Sequence, residues 1–235
     1  MPRFYKRSTV RAAGDGEWGV QLDQHPLKTP AQKPLVFPQR AMAAAIAAEW
    51  EWQEAHNIRP YTMPLMQLCS TAIDRMPLVR QQTIDNMLEY LETDQVLCRE
   101  PAGTEIAGIQ EENFADIVAW AEAEFDVELN VSDSLLGTPQ AEATAEKLRE
   151  AMVKLDDFGL VAIDQLAGSC RSILLGFAAM RGKIDIQRVL ELARLEEEFQ
   201  IKEWGMVEGG HDISRAEVRV AIASPLVMLQ LLALG

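Results

Sequence analysis

The chain has 235 residues, of which 48% are apolar and 25% are charged, and its formal net charge at pH 7 is −14. These values are typical of a folded globular protein with one large or two small domains, and they exclude a disordered, collagenous or low-complexity chain. The acidic balance argues against a nucleic acid or an anionic membrane as the partner, because binding to phosphates needs a basic face.

The first 37 residues predict a small antiparallel sheet. Apolar and polar residues alternate with a period of two across 18–22, which is typical of a half-buried strand. A glycine-rich turn at 14–16 separates this run from an earlier β-like run at 4–10. Further turns follow closely up to the pair Val36 and Phe37, so we expect an antiparallel meander.

The sequence period changes to that of a helix after Pro38. Residues 41–54 are rich in alanine and carry large apolar side chains at helical spacing. Residues 55–61 predict a linker. We therefore expect an α+β protein, with a small antiparallel β-rich domain at 1–57 that is closed by the first helix, and a larger multihelical domain at 58–235.

Helical periodicity dominates the larger domain. Two apolar stretches, 160–180 and 221–234, are predicted to be buried helices without stable membrane insertion, because the first is interrupted by charges and the second is short and contains proline. The last helix is predicted to begin with a capping box at 214–217. The other predicted helices cover residues 64–76, 78–91, 109–124, 139–155, 157–167, 170–181 and 184–205.

Sequence signatures of common enzymes are missing from the chain. It contains no G-x-G-x-x-G, P-loop, H-E-x-x-H or G-x-S-x-G motif. The histidines His25, His56 and His211 lie in loop-like sequence and are interpreted as surface residues. The three cysteines lie far apart without a C-x-x-C pair, which signals neither a zinc site nor a disulfide framework and fits a reducing compartment. We therefore predict no catalytic residue, no cofactor and no metal.

One carboxylate does not fit a solvated helix face. In a continuous helix over 184–205, Glu197 falls in the middle of an apolar stripe that ends at Trp204. A carboxylate in that position needs a cation, a hydrogen-bond donor or an open groove. Two interpretations remain: a structural ion pair with a core arginine such as Arg171 or Arg75, or a side chain that faces a partner.

The first helix repeats this arrangement more weakly. Glu49 and Gln53 lie four residues apart, and Trp50 and Trp52 flank them. A tryptophan on a surface is a common anchor of protein interfaces. Trp50 is also compatible with simple core packing between the two domains, so both interpretations remain.

Several motifs, in order along the chain, resemble one family. They are R-F-Y-K at 3–6, V-Q-L-D…P-L-K-T-P at 20–30, P-L-V-F-P at 34–38, A-x-E-W-x-x-Q at 47–53, M-P-L-x-x-L-x-x-T-A-I-D-R at 63–75, T-D-x-x-x-C-R at 93–99 and L-E-E-x-F-Q-x-x-x-W-G at 195–205. This set resembles the assembly chaperones for the alpha subunit of F-type ATP synthase. The resemblance covers nearly the whole chain and is weakest at 101–150.

The resemblance implies a chaperone that works without ATP and without catalysis. Such chaperones bind the free alpha subunit before it meets the beta subunit, and they cover an apolar surface that would otherwise aggregate. Carried over to this sequence, the resemblance implies partner binding by Glu197, Glu198, Trp204, Glu49 and Trp50, with structural support from Asp74 and Arg75. It also implies a bacterial cytoplasmic protein or a processed chain, because mitochondrial members carry presequences and the match begins at residue 3.

Two other functions remain as alternatives. The first is a small-molecule enzyme that uses a buried Glu197 as general base. An enzyme needs a concave pocket with convergent polar groups around Glu197, whereas a chaperone needs an open apolar surface. The second is an adaptor that stays in the finished complex.

Overall fold

The computed structural model describes residues 1–134, 137–205 and 211–234, and for 211–214 it describes the backbone alone. Within these residues an antiparallel sheet precedes a series of helices, so the predicted α+β class is confirmed. The strands are β1 (Ser8–Gly14), β2 (Glu17–Leu22), β3 (His25–Pro26) and β4 (Val36–Phe37). The helices are α1 (Arg40–Glu51), α2 (Pro64–Asp74), α3 (Met76–Glu89), α4 (Glu105–Phe125), α5 (Glu142–Val153), α6 (Asp157–Cys170), α7 (Ile173–Met180), α8 (Ile186–Ala193), α9 (Leu195–Trp204) and α10 (His211–Ala233).

The chain divides into two compact units. The first contains residues 1–79, 157–162 and 224–234, and the second contains the described residues of 80–156 and 163–223. The predicted domain at 1–57 lies inside the first unit. Its independence from the residues that follow it stays a prediction.

The sheet of the first unit is antiparallel, as the alternating sequence predicts, but it is not the simple meander that was expected, because β4 returns to pair with β2 and not with β3. β1 and β2 pair antiparallel, with Val10 opposite Val20, and β2 also pairs with β3 and with β4. The β1–β2 turn places Asp15 and Gly16 at positive φ values of 50° and 78°, a region that glycine and aspartate tolerate best. α1 packs against β1 and β2, and its buried face contains Met42.

The second unit is built around α7, whose residues from Ile173 to Ala179 are all buried. α7 lies close to α6, because a Cβ atom added at Gly176 would stand only 2.8 Å from Cδ1 of Ile163. Phe177 of α7 packs edge to face on Phe125 of α4, with ring centroids 5.0 Å apart. These contacts explain why the most apolar stretch of the sequence is a core helix.

Several predicted helix boundaries are wrong. α4 begins at Glu105, four residues before its predicted start, and α6 continues to Cys170. The last helix begins at His211, three residues before the predicted capping box at 214–217. The segment predicted as one helix over 184–205 is divided into α8 and α9.

By length and composition alone, Arg215–Ala233 of α10 is long and apolar enough to cross a membrane. This is weak evidence for a membrane span, because core helices pass the same test.

Candidate functional site

The break between α8 and α9 lies at Arg194. Its backbone has φ −114° and ψ 12°, outside the helical region. Three consecutive glutamates occupy the first turn of α9, where the partial positive charge of a helix N-terminus favours carboxylates. This run of glutamates was the sequence signal for a new helix, and the prediction of a continuous helix overlooked it.

Arg194 forms ion pairs with two of these glutamates. Its side chain is 5% exposed, with Nη2 at 2.8 Å from Glu197 Oε1 and Nε at 3.3 Å from Glu198 Oε1. Nη2 of Arg215, on α10, donates to both carboxylate oxygens of Glu198, at 2.6 and 2.8 Å. The hydrogen bond from Arg215, followed by that from Arg194, holds the pKa of Glu198 below its ordinary value.

Glu197 therefore takes part in an ion pair and is also 23% exposed. Its partner is Arg194, so the expected partners Arg171 and Arg75 were wrong, and both of these arginines are exposed. The apolar stripe was predicted for one continuous helix. Because α8 and α9 are separate helices, the residues before and after Arg194 do not form a single stripe. A contact of Glu197 with a partner protein stays a prediction.

A third glutamate anchors α9 to α4. Glu196 Oε1 accepts a hydrogen bond from Nε2 of Gln110 at 2.9 Å. Gln110 is buried, and its Oε1 accepts from the backbone N–H of Glu100 at 2.7 Å. The first turn of α9 is thus held by its own glutamates, whereas near its far end Lys202 makes an exposed ion pair with Glu105 of α4 at 3.4 Å.

Trp204, the last residue of α9, is 79% exposed. It lies six to seven residues beyond the paired glutamates, which places it roughly 10 Å along the helix axis. We call Glu197, Glu198 and Trp204 together the α9 surface. The structure brings the two carboxylates together in one charge network and leaves the indole ring in contact with solvent.

Glu49, the first site residue predicted on α1, caps α2. Its carboxylate oxygens accept hydrogen bonds from the backbone N–H groups of Leu65 and Met66, both at 2.8 Å. No side chain of α2 itself makes this cap, so Glu49 satisfies donors that the helix start leaves free. Burial raises the pKa of Glu49 to about 7, although the two backbone hydrogen bonds act in the opposite direction.

Trp50, the second site residue predicted on α1, packs against the N-terminal segment. Its ring centroid lies 5.7 Å from that of Tyr5, and its carbonyl oxygen accepts a hydrogen bond from the Tyr5 hydroxyl at 2.5 Å. Trp50 is half-buried, whereas the neighbouring Trp52 is 86% exposed. Both tryptophans fit the helical pattern, so the sequence alone did not show which ring is solvent-exposed.

The two predicted support residues differ from each other. Asp74 accepts hydrogen bonds from the Thr29 hydroxyl at 2.7 Å and from the Ala31 backbone N–H at 3.0 Å, and thereby holds the loop between β3 and β4 against the end of α2. The Arg75 side chain is exposed and makes none of the hydrogen bonds or ion pairs found among the described residues.

Sequence reasoning missed a buried carboxylate at Asp94. One of its oxygens accepts from the backbone N–H of Val96, and the other accepts from those of Ile173 and Leu174 at the start of α7. Burial raises the pKa of Asp94 to about 6, against the effect of these hydrogen bonds. Asp94 belongs to the T-D-x-x-x-C-R motif at 93–99. The residues around it in the sequence gave no sign that its carboxylate binds the first turn of α7, about 80 residues further along the chain.

A groove of about 600 Å³ lies beside α9, and we call it the α9 groove. Its apolar side chains are Ile109, Leu190, Leu195 and Phe199. Its charged side chains are Arg188, Arg194, Lys202, Arg215, Arg219, Glu191 and Glu198. Glu197 lines neither this groove nor any other cavity described here. Within the described residues, no group of acidic, histidine or cysteine side chains is arranged to hold a metal ion.

Comparison with known proteins places the chain in a family. The family model of the ATP12 chaperone protein matches residues 2–122. The chain belongs to the ATP12 chaperone family. It is 26% identical over 238 residues to the mitochondrial protein atp12 of Schizosaccharomyces pombe, covering 96% of this chain and 81% of that protein. The mitochondrial ATP12 of Saccharomyces cerevisiae is 22% identical over 261 residues, covering 92% of this chain and 80% of that protein.

A solved ATP12 structure agrees with the fold. The crystal structure of Atp12 from Paracoccus denitrificans is 31% identical to this chain and has a TM-score of 0.87, with 98% of each chain covered. The resemblance inferred from the sequence motifs is therefore confirmed, and so is the chaperone class. Relatives of this ATP12 chaperone come from a bacterium and from mitochondria. The residues that contact a partner stay predictions.

Proposed function

We propose that this ATP12 chaperone binds the free alpha subunit of F-type ATP synthase and protects it until the catalytic head assembles. The family membership supports this proposal. A subunit that has not met its neighbours exposes a large apolar interface, which aggregates unless it is covered. A reversible cover needs apolar contact area together with polar groups that fix the orientation of the complex.

The observation that carries the proposal is the exposed indole ring of Trp204 at the end of a helix whose other end is fixed. Arg194 and Gln110 hold the first turn of α9, so Trp204 is presented by a helix that is anchored at its other end. Exposed tryptophans on such supports are frequent anchors of protein interfaces. The α9 surface is therefore the proposed principal contact with the alpha subunit.

A second proposed contact is the end of α1, where Glu49 and Trp50 were predicted. Glu49 fixes the start of α2 and Trp50 packs on Tyr5. These two side chains therefore hold the end of α1 in place. Trp52 offers the exposed ring beside them. In this proposal, Glu49 and Trp50 act on the alpha subunit by positioning Trp52.

We propose that the protein has no enzymatic activity. A general base must lie within reach of a substrate in a pocket. Glu197 lines none of the cavities described here, and its carboxylate is paired with a nearly buried arginine. The family is one of chaperones, which also favours a transient helper over an adaptor that remains in the finished complex. The bacterial relative supports a bacterial cytoplasmic location as part of the proposal.

A single substitution tests the proposed α9 contact. We expect Trp204→Ala to weaken binding to purified alpha subunit at least tenfold, because truncation of an interface tryptophan commonly costs about 2 kcal/mol or more. The measurement is surface plasmon resonance, in which each variant is titrated over immobilised alpha subunit, with a thermal melt of each variant beside it.

Tyr90→Ala is the matched control, because it removes another exposed aromatic ring of the same unit, outside α9. The control should bind the alpha subunit as the wild type does. Equal binding by Trp204→Ala and wild type would contradict the contact at α9. Failure of the wild type to bind the alpha subunit would contradict the proposed function itself.

A further inference from the structure

We propose that the α9 groove binds an acidic segment of the client polypeptide, in which apolar residues flank the carboxylates. This inference rests on the proposed function, because it specifies the chemistry of the client segment that the region around α9 receives. It is carried by the charge of the groove, by one buried donor without an acceptor, and by the apolar side chains between the charges.

The charge of the groove is opposite to that of the whole chain. Five arginine or lysine side chains and two carboxylates line it, although the chain as a whole carries a net charge of −14. A cluster of cations in a concave, partly apolar setting attracts anionic groups more strongly than the same cations on a flat surface do. Charge complementarity therefore favours a client segment that carries negative charge.

Arg219 is the groove cation most available to a client. Arg188 donates to Asn113 and Glu191, and Arg215 donates to Glu198. Arg219 is exposed and makes no hydrogen bond or ion pair with any of the described residues. Its guanidinium can therefore receive a carboxylate without first losing a partner within the described chain.

Arg194 supplies the second observation. Two of its guanidinium nitrogens are used by Glu197 and Glu198, but its Nη1 is buried and has no hydrogen-bond partner among the described residues. Native structures rarely leave a buried charged donor unsatisfied, and such a group calls for an explanation. A carboxylate that enters the groove beside Arg194 would provide the missing acceptor.

The apolar side chains of the groove define the rest of the ligand. Ile109, Leu190 and Phe199 are half-buried and lie among the cations. A small inorganic anion would leave these side chains in water, whereas a peptide with apolar residues beside its carboxylates would cover them. The groove thus fits an acidic and apolar peptide segment better than a free anion.

The test uses the whole purified protein and three synthetic probes. Each probe is a fluorescein-labelled dodecapeptide of alanine and leucine, with two glutamates in the first, two glutamines in the second and two lysines in the third. By fluorescence anisotropy, we expect the glutamate peptide to bind at least tenfold more tightly than the other two. Raising the salt concentration should weaken this binding, because exposed charges are screened.

Arg219→Glu should weaken binding of the glutamate peptide at least tenfold and leave the melting temperature unchanged. Lys154→Glu is the matched control. Lys154 is also an exposed cation of the second unit, lies outside the groove and makes no side-chain ion pair among the described residues, so this variant should bind as the wild type does. Equal binding of the glutamate and glutamine peptides, no binding of any peptide, or an unchanged affinity in Arg219→Glu would overturn the inference.

The same variants are then titrated with purified alpha subunit. If the wild type binds the alpha subunit but Arg219→Glu binds it equally well, the groove inference fails and the proposed function stands. If the wild type does not bind the alpha subunit at all, the proposed function fails, whatever the peptides do.

Discussion

At the scale of single residues, the side chains with the strongest sequence signals turn out to have partners inside the protein. Glu197 pairs with Arg194, and Glu49 caps α2. A carboxylate on an apolar helix face must find a cation or a donor, and the sequence does predict that requirement. Arg194 lies three residues before Glu197, a spacing at which ion pairs form along a helix, but the cation was expected elsewhere in the core.

The substitution Glu197→Lys tests this ion pair. It places a second positive charge beside the nearly buried Arg194. Of the two glutamates that pair with Arg194, Glu198 alone then remains. We expect the free energy of unfolding to fall by about 3 kcal/mol, the lower end of the range for breaking a buried ion pair. Chemical denaturation monitored by circular dichroism measures this change.

Glu203→Lys is the matched control for that change. Glu203 lies on the same helix, is exposed and makes no ion pair among the described residues, so its reversal should alter stability by less than about 0.5 kcal/mol. If both variants were as stable as the wild type and Glu197→Lys still lost binding to the alpha subunit, Glu197 would be a contact residue without a structural role.

At the scale of elements, the sequence predicted the sheet and most helices but not how distant elements are tied together. Periodicity identified β1, β2 and α1, because each buries one face. The break at Arg194 was missed because the apolar pattern continues through it. The buried Asp94 was missed because its partners, Ile173 and Leu174, lie far along the chain.

The cap that joins α1 to α2 makes stability depend on pH. The pKa of Glu49 is about 7 in the folded protein and close to its ordinary value of 4.5 after unfolding. Between these values the folded protein binds a proton that the unfolded chain releases. Stability from this group is therefore greatest below pH 4.5 and is lost as the pH rises through 7.

We expect the wild type to lose on the order of 2 kcal/mol more stability than Glu49→Gln between pH 5 and pH 8. This expected loss of stability is smaller than the one that the whole shift of the Glu49 pKa would give, because the Glu49 side chain is partly exposed to solvent. Urea unfolding of both proteins at the two pH values measures the difference. The Gln variant removes the titration of residue 49 and also one of the two acceptor oxygens of the cap, but the loss of that hydrogen bond does not depend on pH. Parallel losses in the two proteins would show that Glu49 does not titrate in this range.

At the scale of the whole molecule, the chain combines a net negative charge with a cationic groove and two exposed tryptophans. Trp52 and Trp204 belong to different compact units, and each lies at the end of a helix. An isolated exposed tryptophan has no role in the fold that would explain it, whereas two such rings fit a protein that covers the apolar surface of another chain. The sequence pointed to this function through the resemblance of its motifs and not through its composition.

The most direct test of the account is co-expression of the cognate alpha subunit, alone, with this chaperone or with its Trp204→Ala variant. The quantity measured is the fraction of alpha subunit that stays in the supernatant after high-speed centrifugation. We expect most of the alpha subunit to be soluble with the wild type and to elute bound to it on size-exclusion chromatography. Much less should be soluble with the variant or without the chaperone. An alpha subunit that is equally soluble without this chain, or that remains insoluble in its presence, would contradict the account.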